Sequence, residues 1–164
     1  MSTSAVETPA NGIAGTTVAA LLLAAAQAPL GSTMIAVALP AISKSLDSDI
    51  GLVTSLAVTS YLIVNIIGQS PGGKLGDVLG HLPTARIGML LFAIGAGVGV
   101  FATSLPLLVV SRCTMGLGGA LVVPSTIALL RTHVPEARRG RIFGLVGSTM
   151  SLSAAIGPPL GGEL

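Results

Sequence analysis

Five stretches of the chain are apolar on every side, and each ends where charge or turn-forming residues return. They run from about Gly15 to Leu39, Leu52 to Gly72, Ile87 to Thr103, Leu107 to Leu130 and Ile142 to Leu164. Four of them reach the ~20 residues a helix needs to cross a ~30 Å hydrocarbon core, and the third, though shorter, holds no charge. No amphipathic period shows within them, as expected of helices surrounded by lipid or by one another. The pattern predicts an all-α membrane protein, a transmembrane helical bundle over residues 13–164. Residues 1–12 are rich in Ser, Thr, Pro and Ala with Glu7 as their one charge, and read as a disordered tail.

Charge decides the orientation. The first connection holds Lys44, Asp47 and Asp49, and the third only Ser104, Leu105 and Pro106. The second holds Lys74 and Arg86, and the fourth Arg131, Arg138, Arg139 and Arg141. The positive-inside rule puts the second and fourth in the cytoplasm and the amino terminus with them. Ala24-Ala25-Ala26 offers the small residues of a signal-peptide cleavage site. Against cleavage, no Lys or Arg precedes the apolar run, and the run continues well past Ala26.

Composition narrows the class further. The 164 residues carry eight Lys/Arg and six Asp/Glu, whereas a soluble domain of this length would carry roughly 40 charges. Hydrophobic residues make up 51 %, with 22 glycines, and the mean hydropathy is +0.91. A separate aqueous domain, collagen and a disulfide scaffold are excluded. Cys113 and two histidines draw no metal site, and no cofactor is implied. The isoelectric point near 9.2 arises from a net charge of only +2, too little for a nucleic-acid partner. Nothing pairs a nucleophile with a base, so an enzyme is not expected.

Within the spans, a few polar and glycine-rich positions stand out. Pro29 and Gly31 lie midway along the first span, beside Gln27, Ser32 and Thr33. They predict either an interrupted helix at a binding region or a proline kink satisfied by neighbouring helices. Gly72 to His81 reads as a tight reversal in which Asp77 caps a helix or pairs with a cation. Arg112 lies about 9 Å along its span from Pro106, a depth at which a charge should face the bundle interior, with snorkelling to the headgroups as the alternative. No acid lies at that depth, so carbonyls of an interrupted first span are its expected partner. Gly116 to Ala120, Gly95 to Gly99 and Gly157 to Gly162 provide close helix packing. In the last of these runs, Pro158-Pro159 should add a bend or wedge.

Taken together, these motifs resemble the major facilitator superfamily, and within it the bacterial multidrug/proton antiporters of fourteen spans. Leu30 to Pro40 resembles the first-span signature L-D-x-T-I-V-N-V-A-L-P, and Gly73 to Gly80 the loop G-x-L-A-D-R-x-G. Arg112 to Ala120 resembles R-x-x-Q-G-x-G-A-A, and Gly157 to Gly162 the antiporter G-P-x-x-G-G. The sequence departs from these patterns at Gly31 in place of Asp, Val78 in place of Arg, His81-Leu82 in place of a basic pair, and Met115 in place of Gln. These departures leave no carboxylate well inside the membrane.

The resemblance covers essentially all of this chain and only the first five spans of such a transporter. It implies export of small amphipathic compounds or drugs by alternating access, with proton coupling, from the bacterial cytoplasmic membrane. Gln27, Gly31, Thr33 and Arg112 would form the substrate path. Gly73, Gly76, Asp77 and Gly80 would gate against a carboxy-terminal half. Gly116, Gly118, Gly157, Pro158, Gly161 and Gly162 would pack helices. The implied partners are the lipid bilayer, a small-molecule substrate and that missing half. A truncated, transport-inactive remnant or a membrane interaction partner is the alternative expectation.

Overall fold

The computed structural model describes residues 15–162, with side chains over 19–27 and 29–159. The tail expected to be disordered, residues 1–12, lies outside the described residues. Five helices follow one another: α1 (Gly15–Ser45), α2 (Ile50–Leu79), α3 (His81–Val100), α4 (Leu105–His133) and α5 (Glu136–Gly162). Each is long and apolar enough to cross a membrane. They run past the apolar stretches because the polar flanks are helical too. Lys74 to Leu79 finish α2, and His81 to Arg86 begin α3.

Local chemistry sets the junctions. Asp49 caps α2 by accepting from the Leu52 amide at 3.0 Å, one of the donors a helix start leaves free. Gly80 alone separates α2 from α3, at φ +92° and ψ 143°, a conformation that a side chain would strain. Pro106 sits in the first turn of α4, where its missing amide costs nothing. Pro29, Pro40, Pro71, Pro124, Pro158 and Pro159 all lie inside helices that continue through them.

The helix α4 is the centre of the bundle, packed closely against both α2 and α3, while α1 pairs chiefly with α5. Two apolar clusters tie α1 to α4 near the two ends of the bundle. Leu21 and Ala25 meet Leu130, Val134 and Val146 at one end. Ile35 and Leu39 meet Val53, Ala57 and Leu108 at the other. These pairings run α1 antiparallel to α4.

Small residues let α4 approach both neighbours. A methyl group on Gly118 would stand 2.6 Å from the carbonyl oxygen of Gly88 and from the amide of Phe92. One on Gly116 would stand 2.8 Å from the Tyr61 carbonyl oxygen, and one on Gly72 would stand 2.6 Å from that of Ala120. In lipid, where helices gain little hydrophobic energy from meeting, such backbone proximity and interhelical hydrogen bonds supply the attraction. Ser111 donates to the Gly95 carbonyl at 2.7 Å, and Asn65 donates to that of Gly116 at 3.2 Å.

Candidate functional site

The pairing of α1 with α5, and of α4 with α2 and α3, leaves a gap where α1 faces α3 and α4. It forms a cavity of about 700 Å³. Along α1 it extends from Gln27 to Ile42, about 22 Å at helical rise. Small residues hold the space open: Gly31 and Ala38 on α1, and Ala96 and Gly99 on α3. Leu30, Met34, Phe92, Val100, Leu108 and Met115 make most of its wall apolar. At Gly31 a methyl group would lie 3.2 Å from Phe92 Cζ and 3.7 Å from Met115 Cε. Both are ends of flexible side chains, so this closure is soft.

Gln27, Ser111 and Arg112 are the polar side chains of the lining. Ser111 spends its proton on Gly95. Gln27 Nε2 and Arg112 Nε are buried without a hydrogen-bond acceptor among the described residues. Arg112 also borders a small void of about 30 Å³, with Ser32, Ala57 and Tyr61 among its neighbours there. Of the four residues expected on a substrate path, Gln27, Gly31 and Arg112 therefore share one cavity.

Thr33 is not among the lining residues. Its hydroxyl donates to the carbonyls of Pro29 and Leu30 at 3.0 and 3.1 Å, and its side chain abuts Gly157 of α5. The lack of a side chain at Gly157 thus lets α5 lie against α1 at Thr33.

Of the two alternatives for Pro29 and Gly31, the interruption of α1 does not occur. The helix runs unbroken through Pro29 and Gly31, because one proline removes a single amide donor and leaves the rest of the ladder intact. Consequently Arg112 receives no carbonyl from an opened α1 and keeps its unpartnered Nε.

The expected gating loop is also mostly helix. Gly73, Gly76 and Asp77 belong to the last turns of α2, and Gly80 alone makes the reversal. The glycines answer different needs. A methyl group on Gly73 would touch nothing within 4 Å, whereas one on Gly76 would stand 2.5 Å from His81 Nδ1. Asp77 Oδ1 lies 3.5 Å from His81 Nε2, and the Asp77 side chain is 73 % exposed. The His81 side chain is only 23 % exposed and sits over Gly76 near Ser125. The i, i+4 spacing of Asp77 and His81 was the available signal. On α5 the helix continues through Pro158 and Pro159 to Gly161 and Gly162.

The cavity thus offers an apolar sleeve with a single cation in its wall, a lining suited to an amphipathic molecule. Comparison with known proteins agrees with a membrane carrier. A family model described as Major Facilitator Superfamily matches residues 21–164. The uncharacterized MFS-type transporter YvkA of Bacillus subtilis is 42 % identical over 147 residues, 90 % of this chain and 33 % of that protein. The tetracenomycin C resistance and export protein of Streptomyces glaucescens is 33 % identical over 160 residues, 96 % of this chain and 30 % of that protein. The multidrug efflux pump SdrM of Staphylococcus aureus is 32 % identical over 148 residues, again 90 % of this chain and 33 % of the pump. The chain spans about a third of the length of these relatives.

Proposed function

The chain belongs to the major facilitator superfamily, and from that premise we propose that it contributes helices and a substrate path to an exporter of small amphipathic compounds. The observation that carries this reading is the sleeve between α1, α3 and α4, with the unpartnered Nε of Arg112 in its wall. Export is favoured over uptake because two of the similar proteins are named for export or efflux. Transport would proceed by alternating access, these helices moving as part of one of two bundles about the site. The lining residues hold no carboxylate to carry the proton of an antiport cycle. If export is proton-coupled, the titrating group lies elsewhere in the assembled transporter.

The protein would sit in the bacterial cytoplasmic membrane, with the α2–α3 and α4–α5 junctions and the amino terminus inside. Six Lys/Arg flank those two junctions, against Lys44 at the α1–α2 junction. Single cysteines placed at positions 78 and 136 of a Cys113→Ser background should resist a membrane-impermeant maleimide on intact cells. Labelling from outside would reverse the orientation.

The transport reading is tested in cells stripped of their own drug pumps and expressing the polypeptide as encoded. Efflux of a preloaded fluorescent amphipath should rise above that of empty cells. Ala96→Trp, which fills the sleeve, should cut the rate at least tenfold at equal protein level, about 1.4 kcal/mol in the barrier. Efflux no faster than in empty cells across a panel of anionic, neutral and cationic amphipaths would remove the export reading.

A further inference from the structure

The wall of the sleeve carries one formal charge, and it is positive. The acids among the described residues, Asp47, Asp49, Asp77 and Glu136, all lie at helix ends and none is in the lining. Arg112 is half-buried, and its Nε has no acceptor. A guanidinium has five N–H donors and no means of accepting, and a charge at membrane depth is costly unless paired. Such a group is a seat for an acceptor that the described residues do not provide.

The position of the seat is defined by the antiparallel course of α1 and α4. A methyl group on Gly31 would lie 3.7 Å from Met115 Cε, which puts the two residues at about one level. Arg112 lies one turn from Met115 toward the start of α4, and Gln27 lies one turn from Gly31 toward the start of α1. Because the helices run in opposite directions, the two polar groups stand on opposite sides of that level, about 10 Å apart along the axis at 1.5 Å per residue. Gln27 therefore does not help hold the group that meets Arg112. It addresses the far end of the occupant, and the wall between them is apolar.

From this arrangement we infer that the sleeve selects amphipathic anions, an apolar body with a carboxylate or comparable acidic group that pairs with Arg112. The inference rests on the export reading for its biological sense, but concerns binding alone. An ammonium-bearing amphipath of the same shape meets a like charge without a counter-ion, and the low dielectric magnifies the repulsion. A carboxylate instead gains charge-assisted hydrogen bonds from the guanidinium.

The test is equilibrium binding to the polypeptide as encoded, held in phosphatidylcholine nanodiscs, with three probes of one shape. These are 2-naphthylacetate, its methyl ester and 2-(2-naphthyl)ethylammonium. The carboxylate should bind at least about tenfold tighter than either of the others. Arg112→Gln should abolish the preference, and Arg112→Lys should keep its sign. Gly31→Asp places a carboxylate one turn from the Arg112 level, against the yielding ends of Phe92 and Met115. It should weaken the anion and strengthen the ammonium probe, a gain that misfolding cannot produce.

Equal or tighter binding of the ammonium probe, no binding of the carboxylate, or unchanged carboxylate binding by Arg112→Gln would each overturn the inference. Binding should persist when phosphatidylglycerol is included in the disc. Displacement by that lipid would assign the seat to an anionic headgroup and overturn the substrate assignment. Carboxylate binding without movement in proteoliposomes would leave the inference standing and remove transport, whereas export of cations alone would do the reverse.

Discussion

The two sides of the bundle use glycine in opposite ways. Between α4 and its neighbours α2 and α3, glycine brings backbone against backbone. Methyl groups on Gly72, Gly88, Gly116 and Gly118 would each collide with a carbonyl oxygen of the facing helix at 2.6 to 2.8 Å. Between α1 and the α3–α4 pair, a methyl group on Gly31 would meet only the tips of Phe92 and Met115, and Gly31 itself lines a cavity of about 700 Å³. One side is a seam that resists any added atom, and the other is a space bounded by side chains that can give. A transporter needs both, since a rigid bundle must carry a path that admits a molecule and releases it.

The seam is the place to break first. Gly118→Val would drive branched carbons into the backbone of both Gly88 and Phe92, where neither helix can yield without losing its partner. We expect a loss of about 3 kcal/mol or more, beyond the usual cost of overpacking, because backbone rather than side chain must move. Little monodisperse protein should survive extraction in mild detergent, and thermal unfolding of what remains should start well below that of the parent. Normal yield and unfolding would mean that α3 and α4 do not touch as described.

Gly80 breaks the molecule for another reason. Nothing crowds it, for its nearest neighbours are Pro83 carbons at 3.5 and 3.9 Å, but its φ of +92° with ψ 143° suits only glycine. Gly80→Ala should cost about 1–3 kcal/mol through backbone strain. Thermal unfolding would show this as a lowered midpoint, and the loss should not be rescued by trimming Pro83 to Ala.

These residues also mark how far the sequence alone could be read. Apolar run length sufficed for five helices, because lipid leaves the backbone no other way to satisfy itself. The polar flanks carry no such constraint, and so Lys74 to Leu79 and His81 to Arg86 read as loop although they are helix. Pro29 with Gly31 suggested an interruption, but one missing donor in a ladder does not decide between a break and a continuous helix. Only the facing side chains could. Gln27, Gly31 and Arg112 were visible as anomalies in apolar surroundings. That the first two share a wall with the third, while Thr33 turns to Gly157, follows from how α1 rotates between α4 and α5, which no uniform apolar stretch encodes. His81 was legible in principle from its spacing to Asp77, yet its burial depends on the absence of a side chain at Gly76.

The finest discrimination lies within one dipeptide. Gly72 and Gly73 are neighbours in α2, identical to any reading of composition or helix propensity. A methyl group at Gly72 meets the Ala120 carbonyl oxygen at 2.6 Å, and one at Gly73 meets nothing within 4 Å. Gly73→Ala should therefore stabilise the helix by about 0.5–1 kcal/mol, since it restricts the unfolded backbone and adds no clash. Gly72→Ala should destabilise, because the same gain is outweighed by the collision with α4. Opposite shifts in the unfolding midpoint of the two variants, measured in one detergent, are the expected result. Shifts of the same sign would show that α2 is rotated about its axis relative to α4, and would move Gly76 and His81 out of their present register as well.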